Sequence, residues 1–109
     1  ATFSYVAQEM SKRKIAFLFA REGKGDPYLG PTLKKEFGGV FIANQQLSLA
    51  DGEAMITSGE ADAISWGQQF IANPDLVRRC ELGAELNEPN PNTFYGDGPV
   101  GYTDYPFLA

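Results

Sequence analysis

Val40-Phe41-Ile42-Ala43-Asn44-Gln45-Gln46-Leu47-Ser48-Leu49-Ala50-Asp51 opens with an apolar run and passes directly to a helix start. The run Val40 to Ala43 fits a strand buried on both faces, as in a parallel sheet. Ser48 followed by Asp51 matches a capping box, with Asp where Glu is usual. This predicts a helix from about Leu49 to Ser58, closed by Gly59. Ala63-Ile64-Ser65-Trp66 then reads as another buried strand. Strand, helix and strand in this order form a βαβ crossover, the unit of parallel α/β sheets.

The pattern extends in both directions. Phe3, Val6, Ala7 and Met10 fall on one face of a helix, and Lys12-Arg13-Lys14 suits its C-terminal turn. Ile15-Ala16-Phe17-Leu18-Phe19 predicts a further buried strand. Gly23, Gly25, Pro27, Gly30 and Pro31 make residues 21–31 a loop. Leu29, Leu33 and Phe37 predict a short helix ended by Gly38-Gly39. Downstream, Asn73-Pro74-Asp75 reads as N-cap, first-turn proline and first-turn acid. Leu76, Val77 and Cys80 form that helix's apolar face, with Cys80 a small core residue, and Gly83 ends it. Three parallel strands leave two open edges and too little sheet for four helices. The predicted architecture is therefore part of an α/β fold whose missing part is N-terminal.

The chain has 109 residues, a net charge of −5, one cysteine and no histidine. That length allows one small domain, burying roughly 65% of its unfolded surface. Its 43% hydrophobic and 13% aromatic content excludes wholesale disorder. The acidic balance argues against nucleic acid and anionic membranes as partners, which reward clustered Lys and Arg. No apolar run approaches the ~20 residues of a membrane span, and no signal-peptide pattern opens the chain. A lone cysteine fits a reducing, cytoplasmic setting. Without histidine, no side chain titrates near neutrality unless strongly shifted. All bases precede position 80, whereas Glu81, Glu85, Glu88, Asp97 and Asp104 follow it unbalanced. The five rings Phe94, Tyr95, Tyr102, Tyr105 and Phe107 mark this acidic tail as extended chain laid over a surface.

Ligands of α/β proteins gather beyond the C-terminal ends of the strands. Those ends are Arg21 to Tyr28, Ala43 to Gln46, and Gly67 to Gln69. The last two are amide-rich, and a helix follows each. Gly67 admits close backbone approach and Asn44 can donate from its side-chain amide, which suits an anion such as phosphate. Gly and Asn at strand ends are more usually turn formers. In Thr93-Phe94-Tyr95, the tyrosine can donate its hydroxyl to a ligand, or its ring can be a packing anchor with the hydroxyl in water. No metal-ligand spacing, Walker loop or nucleophile elbow occurs.

Taken in order, Gly59-Glu60-Ala61-Asp62-Ala63, Phe70-Ile71-Ala72-Asn73-Pro74-Asp75-Leu76, Leu86-Asn87-Glu88-Pro89, Thr93-Phe94-Tyr95 and Gly101-Tyr102-Thr103-Asp104-Tyr105-Pro106 resemble the C-terminal signature of the old yellow enzyme family. That family consists of FMN-dependent TIM (β/α)8 barrels that pass hydride from NAD(P)H to the C=C bond of enones. The resemblance implies an α/β fold, the C-terminal part of such a barrel. Residues 1–83 would be its last three βα units and 84–109 an extended tail packing over it, the N-terminal part being absent from this chain. It implies FMN phosphate contacts at Ala43, Asn44, Gly67 and Gln68, with Phe94 bordering the flavin. Tyr95 and Tyr28 would line the substrate pocket.

Two departures stand out. Gln68 occupies a position that is basic in many members, and Gln45-Gln46 stand where some have glycines. The family's substrate-holding His/Asn or His/His pair comes from earlier strands, so the resemblance implies that this segment holds no catalytic residue and would not act by itself. Its partners would be the remainder of the barrel, in the same or a separate chain, and a small enone. Two rivals remain open: a non-catalytic partial-barrel binding or assembly module, and a poorly folded fragment.

Overall fold

A computed structural model describes residues 2–22, 28–44 and 47–108. The turn glycines placed at 23 and 25, and the amides Gln45-Gln46, lie outside the described residues. Two compact units are present, Ala1–Ser65 and Trp66–Ala109. Among the described residues, no helix is long and apolar enough to cross a membrane.

The first unit runs α1 (Thr2–Lys12), β1 (Phe17–Arg21), α2 (Gly30–Phe37), β2 (Val40–Asn44), α3 (Leu49–Ser58) and β3 (Ala63–Ile64). Its strands form a parallel sheet in the order β1-β2-β3. Phe17 lies beside Val40, Arg21 beside Asn44, and Ile42 beside Ala63. The capping box forms as expected: Ser48 Oγ accepts from Asp51 N at 3.0 Å, while Asp51 Oδ2 accepts from Ser48 N at 3.3 Å. Gly38 ends α2 at φ 71°, the left-handed conformation that glycine adopts without a Cβ penalty.

Among the described residues of this unit, helices cover one face of the sheet only. Ala7, Leu33, Phe37, Phe41, Ala43, Leu47, Met55 and Ala61 form a single core cluster between the strands and α1 to α3. Phe41 and Met55 are its most buried large side chains, each contributing roughly 1.5–3 kcal/mol by burial. The other face carries Phe17, Phe19 and Arg21 beside Val40, Ile42 and Asn44.

This corrects the prediction of strands buried on both sides. Phe19 is 49% exposed, and Phe17 and Val40 are similarly open. The cause is the one-sided layer: within the unit, alternate residues have nothing to pack against. Ile15 and Ala16 precede the strand rather than open it, and β3 is only two residues long. On α1, Ala7 is buried, but Phe3 and Val6 extend past the core into solvent.

The second unit holds α4 (Gln68–Ala72), α5 (Leu76–Leu82) and a 3₁₀ turn at Pro91–Thr93. Asn73 closes α4 rather than capping α5, which corrects its predicted role. Its side chain is engaged elsewhere: Nδ2 donates to Gln69 O at 3.0 Å, and Oδ1 accepts from Asn87 N at 2.7 Å. Cys80 is exposed and Arg79 is buried, the reverse of the expected helix face. Arg79 turns inward because it pairs with Asp75 one turn earlier, Nε to Oδ1 at 2.8 Å. The tail is less extended than expected, since turns occupy much of residues 94–103.

Candidate functional site

Three strand ends make the upper rim of the first unit. Glu22 N donates to Asn44 O at 3.2 Å, and Ser65 N donates to Ala43 O at 3.0 Å. Asn44 Nδ2 donates to both Ser65 O (2.8 Å) and Ser65 Oγ (2.7 Å). The side-chain amide expected to face an anion is thus engaged within the sheet, because Ser65 sits at the end of the neighbouring strand. Ala43 is buried with its methyl in the core. Any ligand contact from Ala43 or Asn44 therefore falls to the backbone or to Asn44 Oδ1.

Glu22 accepts Leu29 N with both carboxylate oxygens, at 3.1 and 3.0 Å, and so joins the end of β1 to the start of α2. Tyr28 stands beside this closure, half-buried against the core. Burial first, then the negative charges of Glu60 and Glu22, push its phenol pKa up. Its hydroxyl stays protonated and can donate.

At the opposite ends of the strands lies a hollow of about 630 Å³, lined in part by Lys34, Gly39, Gly59 and Asp62. There Lys34 Nζ donates to Gly59 O and lies 3.6 Å from Asp62 Oδ1, while Asp62 Oδ2 accepts from Phe41 N at 2.8 Å. Asp62 and Phe41 also pair N to O at 2.9 Å. This is an arrangement for fixing β3 on β2, on the stabilising rather than the ligand-binding side of an α/β layer.

In the second unit, Gly67 and Gln68 are exposed at the start of α4. No side chain caps that end. A Cβ built on Gly67 meets nothing within 4 Å, and its φ of −91° suits any residue. Nothing in its own unit demands a glycine there. The open space beside its backbone is what close approach of a ligand requires.

The tail separates the two aromatic candidates sharply. Phe94 is 2% exposed, whereas Tyr95 is 91% exposed. Their rings meet edge to face, with centroids 6.4 Å apart at 84°. Thr93 Oγ1 lies 2.9 Å from Asn90 O and 2.7 Å from Gly101 O, sharing one proton between them. Tyr105 is an anchor, its hydroxyl accepting from Asn90 N at 2.9 Å. Tyr95 touches Phe94 with its ring edge and is otherwise in solvent, so little of its surface packs against the chain.

Sequence reasoning missed the polar group behind this tail. Asp75, Arg79, Asn73 and Asn87 are linked there by direct bonds to tail backbone. The available signal was the four-residue spacing of Asp75 and Arg79. Among the described residues, no group of three potential metal ligands occurs.

A parallel sheet with helices on one face and bare on the other is a sector of an α/β barrel, since doubly wound sheets carry helices on both faces. No family model matches the chain. It is 43% identical over 111 residues to a 12-oxophytodienoate reductase-like protein of Solanum lycopersicum, covering 99% of this chain and 31% of that one. It is 38% identical to a Leishmania infantum protein described as a "probable flavin mononucleotide-dependent alkene reductase", covering 95% and 29%. The fold superposes on the old yellow enzyme homologue of Zymomonas mobilis with a TM-score of 0.91 and 42% identity, covering 97% and 32%. In sequence and fold the chain is thus similar to the old yellow enzyme family. It spans about a third of the length of the curated relatives it matches.

Proposed function

We propose that this chain is the C-terminal segment of an FMN-dependent ene-reductase, active when the rest of the barrel completes it. The observation that carries the reading is the bare sheet face, whose large side chains Phe17, Phe19 and Val40 await an interior. Similarity to old yellow enzymes along nearly the whole chain supports it. FMN, when bound, supplies hydride transfer from NAD(P)H to the C=C bond of an α,β-unsaturated carbonyl compound.

The residues present fit a flavin phosphate through backbone rather than charge. Gly67 and Gln68 offer exposed N–H groups beside open space, and Gln68 adds a neutral amide. Ala43 and Asn44 offer the backbone of a strand end that Ser65 holds rigid. Phe94 borders the flavin as a buried ring that fixes the turn around it. Tyr95 donates its hydroxyl to the substrate, and Tyr28, whose phenol stays protonated, is a second substrate-binding residue. No residue of this segment moves a proton or a hydride.

A second reading, a non-catalytic partial barrel that binds or assembles through its bare face, is favoured by the same exposed Phe17 and Phe19. The intact mass and visible absorption of the purified natural protein separate the two. A larger chain or a second polypeptide, with flavin absorption at ~450 nm, supports the ene-reductase. A species of 11.9 kDa with no flavin overturns it.

A further inference from the structure

Three side chains of the Trp66–Ala109 unit converge on two distant stretches of its tail. Arg79, buried, donates Nε to Asp75 Oδ1 at 2.8 Å, Nη1 to Glu85 O at 2.6 Å and Nη2 to Pro106 O at 3.0 Å. Asn87 Nδ2 donates to Ala72 O at 2.8 Å and to the same Pro106 O at 2.9 Å. Asp75 Oδ2 accepts from Leu108 N at 2.7 Å. The backbone leaving α5 and the backbone returning at 106–108 are thereby fastened together at one neck. The span between them is a closed loop, pinned inside by Thr93 and Tyr105, with Phe94 buried and Tyr95 held out in solvent.

Resting on the reading that Tyr95 meets the substrate, we propose that Arg79 and Asn87 are positioning residues that fix the Tyr95 hydroxyl by clasping both ends of loop 87–106. A planar guanidinium holds three acceptors in one fixed fork, which an ammonium cannot reproduce. Arg79→Lys keeps the positive charge beside Asp75 but releases the carbonyls of Glu85 and Pro106. An unclasped loop must be ordered again whenever substrate binds, and that cost falls on binding rather than on the chemical step.

The test is a double-mutant cycle in the FMN-loaded full-length enzyme, with 2-cyclohexen-1-one as probe. Arg79→Lys and Asn87→Ala are each expected to raise KM about ten-fold, the scale of about 1.4 kcal/mol and hence of one or two lost part-buried hydrogen bonds. FMN content stays unchanged and kcat moves less than KM. Hydrogen exchange of the amides in 88–105 quickens in both variants. In a Tyr95→Phe background the same substitutions add little further rise in KM. An equal rise in both backgrounds overturns the proposal, because the clasp then acts on something other than Tyr95. Unchanged KM in Arg79→Lys and Asn87→Ala, with KM raised in Tyr95→Phe, overturns the clasp while sparing Tyr95. Unchanged KM in Tyr95→Phe alone overturns the role of Tyr95 itself, and with it the clasp's purpose. Should Arg79→Lys fail to fold, Asn87→Ala, which keeps the Asp75 pair, carries the same cycle.

Discussion

Asn44 holds Ser65 through two atoms, its amide nitrogen standing 2.8 Å from the carbonyl oxygen and 2.7 Å from the hydroxyl. β3 has only two residues, so this side chain continues the β2–β3 pairing where the ladder ends. Asn44→Asp replaces a donor with a carboxylate that faces a carbonyl oxygen. It is expected to destabilise the fold by about 1–2 kcal/mol, read as a lower urea midpoint. Ser65→Ala, which leaves the carbonyl contact in place, should cost less. Equal midpoints for Asn44→Asp and the parent chain would show that the bridge contributes nothing.

Gly67→Ala separates a ligand role from a structural one. The backbone there is right-handed, and a Cβ meets nothing within 4 Å. Alanine should therefore leave thermal stability unchanged or raise it by a few tenths to about 1 kcal/mol. If Gly67 lies against the FMN phosphate, the same methyl group lowers flavin occupancy in the completed enzyme. Full occupancy in a stable Gly67→Ala protein would remove Gly67 from the phosphate site.

What the sequence disclosed, and what it concealed, follows from the range of the forces involved. The α3 boundaries were legible because Ser48, Asp51 and Gly59 act within a turn of their own positions. The run Phe17 to Phe19 disclosed a strand but not its exposure, since burial depends on layers contributed by other parts of a barrel. Asn73 misled for a similar reason. Its local pattern suits an N-cap, yet a bond to Asn87 N, fourteen residues on, claims the carbonyl oxygen of its side chain. Asn44 was correctly placed at a strand end, but its partner Ser65 lies across a crossover that residue types alone do not register.

Gly101 should be as intolerant as Gly67 is permissive. Its φ is +68°, and a Cβ there would come within 2.1 Å of Thr93 Oγ1. Gly101→Ala is thus strained in its backbone and also displaces the hydroxyl that ties Thr93 to Gly101 O. The expected loss is at least 1–2 kcal/mol of stability for the tail, on the order of the left-handed penalty together with one hydrogen bond. Proteolytic nicking between 94 and 103 should increase. A nicking rate equal to that of the parent chain would mean that the Thr93 contact does not hold the turn.

Acid should loosen the neck of the tail through Asp75. Its carboxyl pKa is lowered from 3.8, first by the hydrogen bond from Leu108 N and then by the one from Arg79. A depressed folded value means that the unfolded chain binds the proton more tightly. The stabilisation is therefore fully present above the unfolded value of 3.8 and is lost as pH falls through the lower folded value. Asp75→Asn should be less stable than the parent chain at neutral pH, because the amide cannot accept as strongly from a guanidinium. The gap between the two melting temperatures should hold down to about pH 5 and close below about pH 4. Melting curves that stay parallel down to about pH 3 would uncouple Asp75 from the stability of the tail.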